Sequence, residues 1–501
     1  MTRFQFPPRS TGGAVLGFSW SQIALVMAGV LTAVVGLNLL VAGHRVSGLV
    51  MFAGCALLVT FGLLRVKGRR LTEWLPVVVG ALWQRGTGQS EYRGGPYAPN
   101  VLAQWMDLPG PAAGYTWLTA TAADGTTQIG LLRHKAEKTI TAALACRGAN
   151  LILADTDVQD QRLTDWAQLL NILGEYADTG LIRWAVTARA VPDTGNAAQR
   201  YLADNTVDTS TAAYRSLAQL TADAAPAAQR HDIYLSVVFD LARLSKEVAQ
   251  AGGTDAAIAT VVLDRLAGIE AAVVEAGVTS GGWLSPRGYA AVIRTQYDPA
   301  DQETIDLRTI TPTVAQAGVE PRLAGPVAAC TLGWNTYQHD SGLSRTLWVA
   351  QMPRQPVGPT WLTPLYVRTT CRRTVTLVAQ PVPAALAQLA TRRDKVTKAG
   401  DELTKRKLRL VRTARENDEA RAVERIDREQ AAGHTRYQYA LLVTVTATTL
   451  AELDRDVRSV RRILSRAGCE AVSLAGEQDQ AFLAGALPLA RGLKPLRGWA
   501  A

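Results

Sequence analysis

Two long apolar runs near the start, separated only by His44 and Arg45, restrict this chain more than any other feature. Residues 11–43 carry no charged side chain, and neither do residues 46–64. A helix of about 20 apolar residues crosses the hydrocarbon core of a bilayer, and both runs reach that length. Lipid offers no partners to backbone N–H and C=O groups, so each run has to be helical. The connection, residues 42–47, is short. The spacing therefore predicts a tight antiparallel transmembrane hairpin with the lipid bilayer as its first partner.

The basic flanks set its direction. Arg3 and Arg9 precede the first run; Arg65, Lys67, Arg69 and Arg70 follow the second; the hairpin loop holds Arg45 alone. Basic flanks stay on the cytoplasmic side. These six residues predict both termini in the cytoplasm and a location in the cytoplasmic (inner) membrane. A cleaved signal peptide would need a short apolar region and a small-residue cleavage site. The first run is too long for that, Pro7 and Pro8 sit in its flank, and a second run follows. A hairpin buried inside a soluble protein is the remaining rival for such runs.

Composition fits an anchored protein with a large soluble part. The chain has 501 residues and a formal charge of +10, and its mean hydropathy is near zero. The residues beyond the hairpin suffice for two or three cores. The positive balance suits a surface near anionic lipid or nucleic acid, and equally an ordinary solvated surface. Cys55, Cys146, Cys330, Cys371 and Cys469 are widely spaced, with no CxxC pair and no zinc spacing. Outside the span they read as small buried residues in a reducing compartment.

Along the chain, residues 1–70 are the hairpin with its flanks and 71–111 a juxtamembrane helix and linker. The helix, residues 71–84, is amphipathic, with Trp74, Val78, Leu82 and Trp83 on apolar positions, although Pro76 and Gly80 weaken it. It suits either a headgroup-level helix or a first helix packed on the soluble part. A Gly- and Pro-rich stretch, 86–111, reads as linker. Residues 112–298 read as a first α+β domain: a hairpin turn at 122–125, strands at 127–132, 138–145, 181–190 and 231–241, helices at 157–176, 204–224 and 256–276. Residues 299–501 read as a second. An irregular connection at 301–325 leads to a hairpin around Asp340-Ser341-Gly342. Strands follow at 371–380, 437–446 and 470–474, with helices at 449–467 and 478–489. A charged helical arm interrupts this domain at about 382–431. The expected fold class is α+β, a transmembrane hairpin followed by two ferredoxin-like (split βαβ) units with a long charged helical insertion.

In the arm, Lys405, Arg406, Lys407, Arg409, Arg412 and Arg415 form a basic run with no acid among them. Such a run can touch phosphate, in DNA or lipid. It can also be one solvated side of a projecting helical hairpin laced by i,i+4 pairs. No aromatic residue interleaves it, which argues against a single-strand stacking groove.

Signals for catalysis are absent. There is no GxxxxGK[ST] phosphate loop, no GxSxG elbow, and the five histidines never fall at i,i+3 or i,i+4. Asp155 and Asp157 follow an apolar run in the manner of a helix cap rather than a metal site. Ser285 and Pro286 read as N-cap and first residue of a helix. The expectation is a protein with no catalytic residues, no cofactor and no metal.

Three stretches carry a resemblance. The opening RFQFPPRSTGGAVLGFSWSQIAL, the hairpin, and GRRLTEWLPV resemble the small two-span subunits of Gram-positive conjugation systems, the PrgI-like family. The soluble part resembles the N-terminal, non-ATPase region of the CagE/TrbE/VirB-family conjugation ATPases. The end, GEQDQAF through Leu487-Pro488 and Arg491-Gly492, resembles the close of that region, which in those ATPases leads into the nucleotide-binding domain. Together these cover nearly the whole chain, in a combination typical of actinobacterial membrane proteins of conjugative and type IV-like secretion loci. No phosphate loop occurs up to Ala501, so the expectation is a chain without the nucleotide domain. The resemblance therefore implies a docking and scaffolding part whose partners are a separate conjugation-type ATPase, other secretion-channel subunits, or further copies of itself. Gln478, Phe482 and Leu487 are candidate docking residues at this end, since a terminal aromatic can anchor an interface; core packing is the other reading of Phe482. Two rival classes stay open, a type VII secretion subunit and a membrane-bound enzyme. A third alternative is a membrane-tethered protein that contacts nucleic acid or lipid through the basic run.

Overall fold

The computed structural model of the protein describes residues 4–6, 20–66, 69–94, 108–122, 124–148, 151, 153–193, 201–202, 204–206, 208–224, 228–310, 317–407 and 414–493. They divide into two compact units. One comprises Pro7–Ser90 and Ala385–His434, the other Met1–Phe6, Glu91–Ala384 and Thr435–Ala501.

The first unit holds helices α1 (Trp20–Val41) and α2 (Arg45–Leu63). A three-residue turn joins them, with Gly43 at φ +91°, a conformation that favours glycine. Small residues line the contact between the helices. A Cβ on Gly29 would lie 2.9 Å from Val59 Cγ2, and one on Gly48 2.5 Å from Leu40 Cγ. Small residues at such a contact let the two backbones approach closely. Gln22 Nε2 donates to Gly62 O at 2.7 Å, which satisfies a polar side chain inside the pair. After α2, a two-residue pairing of β1 (Arg65–Val66) with β2 (Arg69–Arg70) turns the chain into α3 (Leu71–Gly86). Pro76 sits inside α3 without ending it.

The second unit is organised by one 13-stranded sheet. In chain order it contains β3 (Glu91–Arg93), β4 (Tyr115–Thr121), β5 (Gln128–His134), β6 (Thr139–Arg147), α4 (Thr156–Glu175), β7 (Leu181–Pro192) and α5 (Ala212–Ala224). There follow β8 (Gln229–Asp240), α6 (Ser245–Gln250), α7 (Asp255–Glu275), β9 (Thr279–Trp283), α8 (Pro286–Tyr297) and α9 (Asp301–Ile310). The remainder is β10 (Ala328–Leu332), β11 (Thr336–His339), β12 (Gly342–Gln351), α10 (Thr363–Val367), β13 (Arg372–Pro381), β14 (Tyr437–Ala447), α13 (Leu450–Arg466), β15 (Glu470–Ser473) and α14 (Gln478–Gly485). Between β13 and β14 the chain runs through α11 (Ala384–Lys407) and α12 (Ala414–Ala431), which belong to the first unit almost entirely.

The strand path is β3-β10-β11-β12-β14-β13-β7-β8-β6-β5-β4, with β9 added on β6 and β15 on β12. Its two halves mirror each other. In one, β4-β5-β6 lead to β8 and β7; in the other, β10-β11-β12 lead to β14 and β13. They join where β7 pairs antiparallel with β13, Thr187 opposite Thr376. Regions 112–298 and 299–501 thus share a single sheet.

Alternation along the strands gives each face its own core. Ile140, Ala142 and Leu144 of β6 face α4 and α7, while Ala143 faces the helices of the opposite side. On the first face α13 buries Leu453, Val457, Val460 and Leu464, one stripe of an amphipathic helix. Thr449 caps it by accepting from Glu452 N. On the other face α8 and α14 pack with Tyr289, Ile293, Tyr297, Phe482 and Leu483.

Two expectations need correction. Residues 301–310, anticipated as irregular, form α9: acids fill its first turn, Asp301 pairs with Arg294 at 2.8 Å, and Ile305 is buried. Within the anticipated linker 86–111, Glu91–Arg93 is a strand hydrogen-bonded to β10.

Candidate membrane interface

The hairpin presents its apolar side chains outward. Both helices are long and apolar enough to cross a membrane, and few of their residues are buried. Leu31 is 67% exposed, Leu57 68% and Val41 82%. Among the described residues little of this surface is covered, unlike that of a core hairpin. Of the flanking cations, Arg65, Arg69 and Arg70 lie on the β1–β2 turn; Arg3, Arg9 and Lys67 lie outside the described residues.

Helix α3 begins where α2 ends. Leu71 N donates to Leu64 O at 3.3 Å, so its first residue is bonded to the C-cap of α2. Leu75, Val79, Leu82 and Trp83 form an exposed apolar face, and the last three line an open groove with Gly86 and Thr87.

The N-terminus has a feature that the sequence reading missed. Phe4 pairs with Val357 through two backbone hydrogen bonds, Phe4 N to Val357 O at 3.0 Å and the reverse at 2.9 Å. Gln5 Nε2 donates to Arg354 O at 2.9 Å. Phe6 packs edge-on against Trp361, ring centroids 5.4 Å apart. The only hint in the sequence was the aromatic alternation of Phe4-Gln5-Phe6.

The C-terminal candidates are corrected. Gln478, Phe482 and Leu487 are fully buried. Gln478 clamps β12: its Oε1 accepts from Thr346 N at 2.8 Å, and its Nε2 donates to Leu474 O at 2.9 Å. Phe482 sits among Tyr297, Tyr337 and His339, ring centroids 5.2, 5.2 and 4.6 Å away. Beyond α14 the chain runs under the sheet as a strap. Ser236 of β8 donates to Pro488 O at 2.7 Å and Thr376 of β13 to Gly485 O at 2.9 Å, so the segment stitches both halves. None of the three side chains is available to a partner; apolar and amide groups at this end serve the core.

The arm is a helical hairpin. Lys395 Nζ pairs with Asp427 at 2.6 Å and Thr391 Oγ1 donates to Gln430 at 2.9 Å across α11 and α12. Lys405, Arg406 and Lys407 fall on the last turn of α11 and Arg415 on the first of α12; their side chains, with all of Arg409 and Arg412, lie outside the described residues.

Buried polar groups form internal networks. Nδ1–H of His339 donates to Tyr297 O at 2.5 Å, so Nε2 accepts from Ser344 Oγ at 2.7 Å, and Thr446 continues the chain. Burial pushes His339 down to about 4. This histidine–serine pair is fully buried and out of reach of a substrate. At one end of β7 and β13, Arg189 donates to Thr295 Oγ1 and Gln302 Oε1, both at 3.1 Å, and Arg372 to Thr295 O at 3.1 Å. Burial, and then the neighbouring Arg189 and Arg230, push Arg372 down to about 9. Glu137 bridges Arg183 and Arg491, tying the terminal strap to β7. Asp155 stands at the N-cap of α4 with no side-chain cap bond, whereas Ser285 caps α8 by accepting from Gly288 N at 3.1 Å. Among the described residues no three His, Cys, Asp or Glu side chains group as a metal site.

No protein-family model matches the chain, and no curated protein matches it.

Proposed function

We propose that this chain is a non-catalytic inner-membrane scaffold of a conjugative DNA-transfer or type IV-like secretion apparatus, which docks a separate ATPase at the membrane. The observation that carries the anchoring part is topological. Residues 4–6, Glu91–Ala384 and the chain from Thr435 belong to one compact unit, and two exposed apolar helices lie in sequence between residues 4–6 and Glu91. A unit that receives the chain both before and after the spans requires an even number of crossings. The basic flanks favour the cytoplasmic side for that unit.

The strand order supports two split βαβ units. Taking β6, β7, β8 and β9 as strands 1 to 4, the order β9-β6-β8-β7 is 4-1-3-2, with α4 and α7 as the crossovers. The order β15-β12-β14-β13 repeats it with α10 and α13. The two units meet edge to edge, strand 2 against strand 2, and each carries its insertion between strands 2 and 3. A membrane anchor raises the effective concentration of such a platform for weakly bound partners.

The test is affinity purification of the full chain from its native host in mild detergent, with mass spectrometry. Co-purification of a conjugation-type ATPase and channel subunits is the expected result. Recovery with type VII components, or of the chain alone, would overturn the proposal.

A further inference from the structure

The strongest unassigned surface is the apolar face of α3. Leu75, Val79 and Leu82 are each 57% exposed and Trp83 68%. At 3.6 residues per turn these four positions fall within an arc of about 100°, the width of a helix face that packs on something apolar. A cytoplasmic helix with such a stripe open to water forfeits its burial.

Where α3 starts decides what covers the stripe. Leu71 is hydrogen-bonded to Leu64, the C-cap of α2, and the paired residues Arg65–Val66 and Arg69–Arg70 close the turn between them. The first residue of α3 is thereby held at the end of a span. Arg65, Arg69 and Arg70 belong to these paired residues, and Arg85 lies in the last turn of α3. Trp favours the headgroup layer. A helix with an apolar stripe, Trp on it and cations at its ends is built to lie along an interface rather than to cross it.

We propose that α3 is an interfacial helix whose Leu75–Val79–Leu82–Trp83 face is buried in the phospholipid headgroup–acyl boundary beside α2. The inference rests on the membrane reading of α1 and α2. The protein then has two kinds of lipid contact: a hairpin that fixes it in the bilayer, and a helix that fixes where the chain leaves the surface toward β3.

The experiment uses the full chain with its five cysteines replaced by alanine, reconstituted in phosphatidylcholine–phosphatidylglycerol vesicles. Spin labels are placed singly at Val79→Cys and Leu82→Cys, at Leu31→Cys in the first span, and at Asp223→Cys on exposed α5. Accessibility to oxygen and to a nickel chelate is then compared. The expected oxygen-to-nickel ratio at 79 and 82 is about fivefold or more above that at 223, and below that at 31. Nickel access at 79 and 82 equal to that at 223, with 31 still in lipid, would overturn the proposal while sparing the hairpin. Protection from both reagents would mean that protein covers the face, and would also overturn it. Nickel access at 31 would remove the membrane reading itself.

Discussion

Replacing Phe482 by alanine separates a core role from a docking role. The ring is fully buried and meets Tyr297, Tyr337 and His339 at centroid distances of 4.6–5.2 Å. Its removal leaves a cavity where α8, β11 and α14 converge. Buried Phe→Ala changes cost about 3–5 kcal/mol through lost transfer energy and the cavity. Three aromatic neighbours and no open side for collapse place this site near 4 kcal/mol, about a thousandfold in the folding equilibrium. Phe482→Leu keeps most of the volume and should cost about 1 kcal/mol. The assay is urea unfolding of the full chain in mild detergent, followed by tryptophan fluorescence at constant slope. A surface docking residue would change stability by no more than about 0.5 kcal/mol. A Phe482→Ala midpoint equal to that of the parent, with an ATPase partner lost from pull-downs, would refute the core assignment.

Three further outcomes follow from the geometry. Gly485→Ala should destabilise by about 1–3 kcal/mol in the same unfolding assay, because the new Cβ would stand 2.6 Å from Thr444 Oγ1 and 3.0 Å from Thr346 Cγ2. Glu137→Gln should cost about 3 kcal/mol, since Arg183 and Arg491, 6% and 12% exposed, lose their shared carboxylate; Arg183→Met in the same background should recover part of that loss. His339 is neutral in the fold down to about pH 4 and protonates near 6.5 when unfolded. The unfolded state thus binds the extra proton first, and stability falls as pH drops from about 6.5 to about 4, at up to about 1.4 kcal/mol per pH unit. His339→Gln should flatten that part of the stability–pH curve.

The elements with strong local signals were legible in the sequence. Uncharged runs gave α1 and α2, and the stripe Leu453, Val457, Val460 and Leu464 gave α13, because periodicity alone specifies which face is buried. The turn at Asp340 and the cap at Ser285 were equally local. What stayed hidden depends on partners far apart in sequence. β3 is three residues long and exists only through its pairing with Ala328–Cys330. Phe4 finds Val357 across most of the chain. The single sheet depends on β7 and β13 choosing each other, which no pattern within either strand dictates. Gln478, Phe482 and Leu487 could be offered as docking candidates, with core packing the other reading of Phe482, for the same reason: a short polar-apolar segment beyond the last strand is a tail by sequence and a core strap by packing.

The most direct test of the anchored topology is reporter mapping in a bacterial host. Alkaline phosphatase, active only outside the cytoplasm, would be inserted at Gly43 in the hairpin turn and fused separately after Leu493. The account predicts activity at 43 and none at 493, with a cytoplasmic fluorescent reporter giving the opposite pattern. Phosphatase activity at 493, or at neither position, would contradict it.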